Sequence, residues 1–350
     1  IVVGENVKLK SDYNMNDATQ GHIHIEGSVE NVHHSVLQDI SPLSNTLQIS
    51  DSDAVNYTAG DIIELSQDRA HDLDSSVTTE EEHRQQHAYS VLTVRSVDET
   101  TGLITTQERI PYEFKTVYNP RIARVNPVKD VEIVGSSTDY DRMGVTGHGN
   151  FFHVKYGYNV RISGFNCFNG AGKAVEVEKT NRYYVSDIYF NSPTSKDPAK
   201  GEAIMSNKSG YGIIERCYLY DSRRGIDFTN SWNCIVNDSM CMNARFTTHG
   251  LLSKFITFNN CYVYGEDDSV TAFHGFTFGN ESYLYDEEIT VNNCYIYGGF
   301  NGLLALTKCK NVRVINSKFY NNRMGIVLSD VNGFEVRGCS FKNCKNTMSL

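Results

Sequence analysis

Ile289-Thr-Val-Asn-Asn293 and Val312-Arg-Val-Ile-Asn316 lie 23 residues apart, and each alternates before ending on asparagine. Alternation with a period of two sends successive side chains to opposite faces, which marks a strand. The two stretches belong to a longer series running from about residue 160 to residue 344. One column of it holds Phe165, Ile188, Cys217, Ser239, Cys261, Cys294, Ser317 and Cys339, in steps of 23, 29, 22, 22, 33, 23 and 22 residues. A unit this short cannot bury its own apolar face and must stack on copies of itself. No window shows sustained helical periodicity. A period near 22 suits one coil of a solenoid, whereas a propeller blade takes about 40–45 residues. The expected fold is all-β, a parallel β-helix with one coil per repeat.

Outside the series the rhythm changes. Residues 1–40 read as first coils, with Gly21-His-Ile-His-Ile-Glu-Gly27 placing His22 and His24 on the face opposite Ile23 and Ile25. Residues 41–127 carry longer strands, Thr46-Leu-Gln-Ile-Ser50, Gly60-Asp-Ile-Ile-Glu-Leu65 and Tyr89-Ser-Val-Leu-Thr-Val-Arg95, with turns such as Asp98-Glu-Thr-Thr-Gly102. They predict a small antiparallel β insertion. From Val131-Glu-Ile-Val-Gly135 the coil pattern returns, so 128–350 forms the main β-helix.

A net charge of -10 argues against nucleic acid and against an anionic membrane surface as partners. No apolar run is long enough to span a bilayer. The first residues, Ile1-Val-Val-Gly-Glu-Asn-Val-Lys-Leu9, already alternate like a strand, and the chain reads as the middle of a longer protein. Nine cysteines sit mostly at or near the column, without the CxxC pairs of a zinc site. They read as small fillers stacked inside the solenoid, kept reduced during synthesis. No metal and no cofactor is expected.

The two long steps matter for function, because extra residues in a coil must bulge at its turns. One insertion is expected within Asn191–Lys200. The other is expected within His274–Glu287, where Phe276, Phe278, Tyr283 and Tyr285 would either offer aromatic rings to a sugar or cap the loop against the body. Between the two, aligning the coils gives an outward column of Glu176, Ile204, Asp227, His249 and Thr271. Adjacent coils are about 4.7–4.9 Å apart, which would make Asp227 and His249 neighbours with Glu202 one coil earlier. Asp221, Arg223 and Arg224 lie on the preceding turn, Arg245 one coil on, then Glu266, Asp267 and Asp268. Glycoside hydrolysis needs two carboxyl groups, roughly 5 Å apart for retention and about 6.5–9.5 Å for inversion. Asp227 is the candidate acid or nucleophile, partnered by Glu202, Glu266, Asp267 or Asp268, with His249 orienting it. Asp221, Arg223, Arg224, Arg245, Glu176, His274 and Tyr283 are candidates to hold substrate. A lyase would instead use a base such as Arg224, Arg245 or His249 beside a neutralised uronate. Solvated turn residues pairing across coils would give the same pattern with no chemistry.

The coil pattern from about 131 to 344 resembles the pectate-lyase-like right-handed β-helices, and among them phage tailspike and preneck-appendage proteins. Gly225-Ile-Asp-Phe-Thr229 is similar to a GIDxT string of appendage proteins, and Thr247-Thr-His249 to part of their TTHH string. The DDGI that precedes TTHH there is replaced here by Asn243-Ala-Arg-Phe246. The resemblance implies a right-handed helix and a homotrimer in the virion, attached through an N-terminal region beyond this chain. It implies binding, and usually cleavage, of a bacterial surface glycan such as capsule, O-antigen or teichoic acid. A binding-only adhesin or fibre segment, and a secreted polysaccharide lyase or epimerase, are the rival readings.

Overall fold

The computed structural model describes residues 9–10, 21–68, 88–135, 144–146, 150–168, 173–191, 202–222, 224–244, 246–248, 253–265, 274–279, 286–305 and 309–349. Their strands gather into two parallel sheets and one antiparallel sheet. A full coil supplies three strands. In one coil Arg224–Thr229 lies in the second sheet, and Trp232–Asn237 and Met240–Met242 lie in the first. Each pairs in parallel with its counterpart one coil on: Ile226 with Phe246, Ile235 with Thr257, Cys241 with Val263. The fold is a right-handed parallel β-helix. Among the described residues no helix is long and apolar enough to cross a membrane.

The repeated column is a buried stack, and its chemistry explains its composition. Phe165 pairs with Ile188, and Cys217, Ser239, Cys261, Cys294 and Ser317 continue the line, all buried, with Cys339 half-buried. The residue before each member is left-handed, as at Arg216 (φ 51°), Asp238 (49°), Asn260 (52°) and Asn293 (52°). Asn and Asp tolerate that geometry best. Where the column holds Cys or Ser, the side chain donates to the carbonyl two residues earlier. Cys217 Sγ does so to Glu215 at 3.4 Å, Ser239 Oγ to Asn237 at 2.9 Å and Cys261 Sγ to Asn259 at 3.3 Å. Cysteine and serine therefore interchange, because the site asks for a small donor. All nine cysteines are free thiols. Burial pushes Cys217 up to about 12 and Cys234 to about 11, which makes them inert fillers.

Asparagines ladder along the outside, as their turn positions suggest. Asn259 Nδ2 donates to Asn237 Oδ1 at 3.2 Å, Asn292 to Asn259 at 3.2 Å, and Asn293 to Asn260 at 2.7 Å. Inside, Phe246 stacks on Phe276 at 5.2 Å between centroids, and Phe258 on Phe278 at 5.9 Å. Phe276 and Phe278 are thus core residues of the strand His274–Phe278, not loop aromatics. Their one-residue spacing is a strand alternation, and in sequence the extra residues of this coil fall on both sides of that strand.

The antiparallel sheet begins earlier than residue 41. Ser28–Val29 and His34–Ser35 both pair antiparallel with Arg121–Asn126, so 28–40 belongs to the insertion and not to first coils. The insertion replaces one turn of the first described coil. Gly21–Glu26 pairs with Asn150–Lys155 in the second sheet, and Val128–Lys129 with Gly157 and Tyr158 in the first. The chain leaves the helix at Gly27, where a Cβ would lie 2.6 Å from the Asn126 carbonyl and 2.7 Å from that of Tyr156. No side chain fits there. The core of the insertion incorporates Tyr156 and Trp232 of the helix, with Tyr112 edge-on to Trp232 at 6.1 Å. Asn181 Nδ2 donates to the Val91 carbonyl at 3.1 Å, and Arg182 pairs with Glu108 at 3.1 Å.

Candidate functional site

The second sheet turns one column outward along its length: His24, His153, Glu176, Met205, Asp227, Thr247, Thr277, Leu304 and Val327. This corrects three positions expected from sequence. Ile204 aligns with Val175 and Ile226 and points inward, leaving Met205 in the outward column. Thr247, not His249, is the neighbour of Asp227, and Thr277 stands where Thr271 was expected. The step from Ile226 to Phe246 is 20 residues, while Trp232 to Lys254 is 22. Coils do not share their length equally among turns, so a constant offset misplaces this strand by two residues.

Facing outward does not here mean facing water. Asp227 is fully buried, and His153, Glu176 and Arg224 are each only 7% exposed. Gly225 and Ile226 follow Arg224 before Asp227, and the two charged residues meet across them. Arg224 Nη1 donates to Asp227 Oδ2 at 3.0 Å and to Glu202 Oε1 at 2.5 Å. The Glu202–Arg224 contact follows from register, since the two pair across adjacent coils. With both facing oxygens on one nitrogen, Arg224 bridges the two carboxylates. The side chain of Glu202 is 17% exposed while that of Asp227 is wholly covered, so Glu202 is the member that reaches the surface.

One coil back, Lys173 pairs with Glu176 at 2.9 Å. Beyond it runs a chain of four groups. His24 Nε2 contacts Glu26 at 2.9 Å, His24 Nδ1 contacts His153 Nδ1 at 3.1 Å, and His153 Nε2 contacts Glu178 at 3.3 Å. Burial pushes Glu178 up, but the His153 hydrogen bond and the charge of Lys155 outweigh it and hold the carboxyl below its ordinary range. Glu26 is pulled down to about 2 by Lys155 and then His24. Among the described residues no group of three or more His, Cys, Asp or Glu side chains could hold a metal ion.

Of the residues singled out from sequence, the structure brings Glu202, Arg224 and Asp227 together. Asp221 belongs instead to the asparagine ladder, accepting from Asn243 at 3.0 Å in a left-handed turn. His274 lies two coils beyond Asp227, with its Nδ1 3.1 Å from Asn301, and Glu176 lies two coils before it. Arg223, Arg245, His249, Glu266, Asp267, Asp268 and Tyr283 lie outside the described residues. Sequence reasoning passed over Lys173, Glu178, Lys179 and Lys208. Glu178 was findable: Val175-Glu-Val-Glu178 alternates, so Glu176 and Glu178 must share a face.

No protein-family model and no curated protein sequence matches the chain. Solved structures do. The tailspike gp61 of Pseudomonas phage phi297 aligns with a TM-score of 0.54 at 13% identity, over 96% of this chain and 63% of its own. The tailspike gp49 of Pseudomonas phage LKA1 aligns at 0.52 and 12% identity, over 94% and 68%. This chain shares their fold, a right-handed parallel β-helix. It spans about two thirds of the length of these tailspikes. An endo-xylogalacturonan hydrolase from Aspergillus tubingensis aligns at 0.50 and 11% identity, over 64% of this chain and 84% of its own.

Proposed function

We propose that the protein is a phage receptor-binding spike that binds a bacterial surface glycan on the outer face of its second sheet and cleaves it. Capsule, O-antigen and teichoic acid are the polymer classes in view, and a homotrimer in the virion is the assembly. The fold shared with two phage tailspikes and a polysaccharide hydrolase supports the reading, as do the strings at 225–229 and 247–249. The observation that carries it is the ion cluster at Glu202, Arg224 and Asp227. Burying charges costs several kcal/mol per ion unless each is well paired, and a solenoid needs none of them for its coils. Such a cluster, on a face whose later coils carry Thr, Leu and Val, supports a site there. Asp227 is proposed as the positioning residue that pins Arg224 from beneath. Glu202 is the carboxyl that exchanges a proton with the glycosidic oxygen, and the second carboxyl that hydrolysis needs would come from Glu266, Asp267 or Asp268.

The protein is to be incubated with a panel of capsules, O-antigens and teichoic acids and the products weighed by mass spectrometry. Shortened polymer is expected from at least one class, and Glu202→Gln should lower its release by about 10²–10⁴-fold with the fold intact. Cleavage by Glu202→Gln at the wild-type rate removes Glu202 from the reaction. A second reading has an observation in its favour: Asp227 is sealed and engaged by Arg224, which suits a groove that only binds. Binding of a polymer that is never shortened would select that reading.

A further inference from the structure

Lys179 and Lys208 occupy the same corner of successive coils, where the second sheet turns toward the first and the insertion packs alongside. Glu178 pairs with Asn207, so each lysine directly follows a matched position. Both are left-handed with φ 49°, and their backbone N–H groups donate to the next coil at Asn207 and Thr229. The two side chains therefore leave the backbone about one strand spacing apart, 4.7–4.9 Å. Their surroundings differ. Lys179 Nζ donates to Tyr156 Oη at 2.8 Å, lies 3.7 Å from Glu64, and sits over the Tyr89 and Tyr156 rings at 4.8 and 4.9 Å. Lys208 Nζ has the Tyr89 ring at 6.0 Å, and among the described residues it makes no ion pair or hydrogen bond. The residue is nonetheless half-buried. Burial, then the neighbouring Lys179, pulls its pKa below the ordinary lysine range. Folding leaves Lys208 as a partly dehydrated cation beside a like charge, which is a cost that an incoming anion would remove.

We propose that Lys208, backed by Lys179 and flanked by Tyr89 of the insertion, is a subsite for an acidic group, carboxylate or phosphate, carried by the glycan. The proposal rests on the reading above that a glycan lies on the outer face of the second sheet. Glu202 opens the strand Glu202–Asn207 and Lys208 follows its last residue, so the two sites stand at opposite ends of one strand, about 20 Å apart. A polymer crossing the sheet along this strand would engage both. The insertion thereby acquires a role: it supplies the tyrosine face and Glu64, which fix Lys179 and leave Lys208 for substrate.

The test measures equilibrium binding at low salt of three probes: polygalacturonate for carboxylate, poly(glycerol phosphate) for phosphate, and neutral dextran. Wild type should bind at least one acidic probe and not dextran, and the probe preferred tells carboxylate from phosphate. Lys208→Met keeps the stem over Tyr89 and removes the ammonium, and should weaken that binding about ten- to a hundredfold. Lys208→Arg should stay within a few-fold of wild type. Equal binding by Lys208→Met, or no binding of either acidic probe by wild type, overturns the subsite. Glu202→Gln separates the two ideas. If it still cleaves while Lys208→Met has lost binding, the catalytic reading falls and the subsite stands.

Discussion

On the outer face of the first sheet, Tyr264 stacks on Tyr297 at 5.1 Å and 9°, Tyr295 on Tyr320 at 5.1 Å, and Asn259 joins Asn237 to Asn292. On the outer face of the second sheet the corresponding line reads His153, Glu176, Met205, Asp227, Thr247. The first is a ladder of like on like. Tyr264 and Asn259 find partners in their own copies one coil away, and Tyr295 in the diagonal tyrosine of the next coil, which is what a one-dimensional stack rewards. Its tyrosines stay open, Tyr262 at 54% and Tyr218 at 37% exposed. In the second face neighbours are unlike, and His153, Glu176 and Asp227 are polar and covered. Repetition explains the first face and does not explain the second, so function is to be sought where the repeat is broken.

The largest effect separating the faces should come from Arg224. Replacing it by Met leaves the Asp227 carboxylate buried without its guanidinium, which costs about 3–5 kcal/mol. Urea denaturation would read this as a lower midpoint with an unchanged slope. Adding Asp227→Asn should restore much of the loss, because the pair and not either residue is what the fold tolerates. If Arg224→Met melts within 1 kcal/mol of wild type, the cluster behaves as a solvated surface pair and the contrast between the faces dissolves.

On the ladder the expected cost is smaller. Asn259 both donates to Asn237 and accepts from Asn292. Asn259→Ala removes two half-exposed hydrogen bonds, about 1–2 kcal/mol in all. The change should leave glycan binding and cleavage untouched, since this face lies outside the proposed site. Loss of activity in this variant with the fold preserved would move substrate onto the first sheet.

The architecture was legible because its rule is local and repeated. From Cys217 on, a small donor follows the left-handed corner of each coil, so Cys217, Ser239, Cys261, Cys294 and Ser317 declare the period by themselves. The site was legible only in part. Glu202, Arg224 and Asp227 were found because they cluster in sequence modulo one coil. The Asp227–His249 pairing failed because one coil took two residues from one turn and gave them to the next, which no single column records. Phe276 and Phe278 were misread because a long step announces extra residues without saying at which turn they lie. Lys208 was missed because nothing in its own coil is unusual. Its environment is made by Tyr89, more than a hundred residues away in the insertion.

The smallest effect tests the rim of the charged face. Glu26 lies at the first coil, its side chain 41% exposed, 2.9 Å from both Lys155 and His24. Those two partners hold its carboxyl at about 2, below the ordinary 4.5, so the folded state favours the ionised form. The sign follows: the stabilisation is fully present above 4.5 and is lost as pH falls toward 2. Solvent screens so open a group, and its contribution is at most about 1 kcal/mol. Wild type should therefore exceed Glu26→Gln slightly near neutrality, and the gap should close through the acid range and shrink in high salt. A gap independent of pH would mean that Glu26 acts through packing alone. A gap that closes as expected, set against the loss at Arg224, would grade the face from an open rim where charge is cheap to a covered centre where it is not.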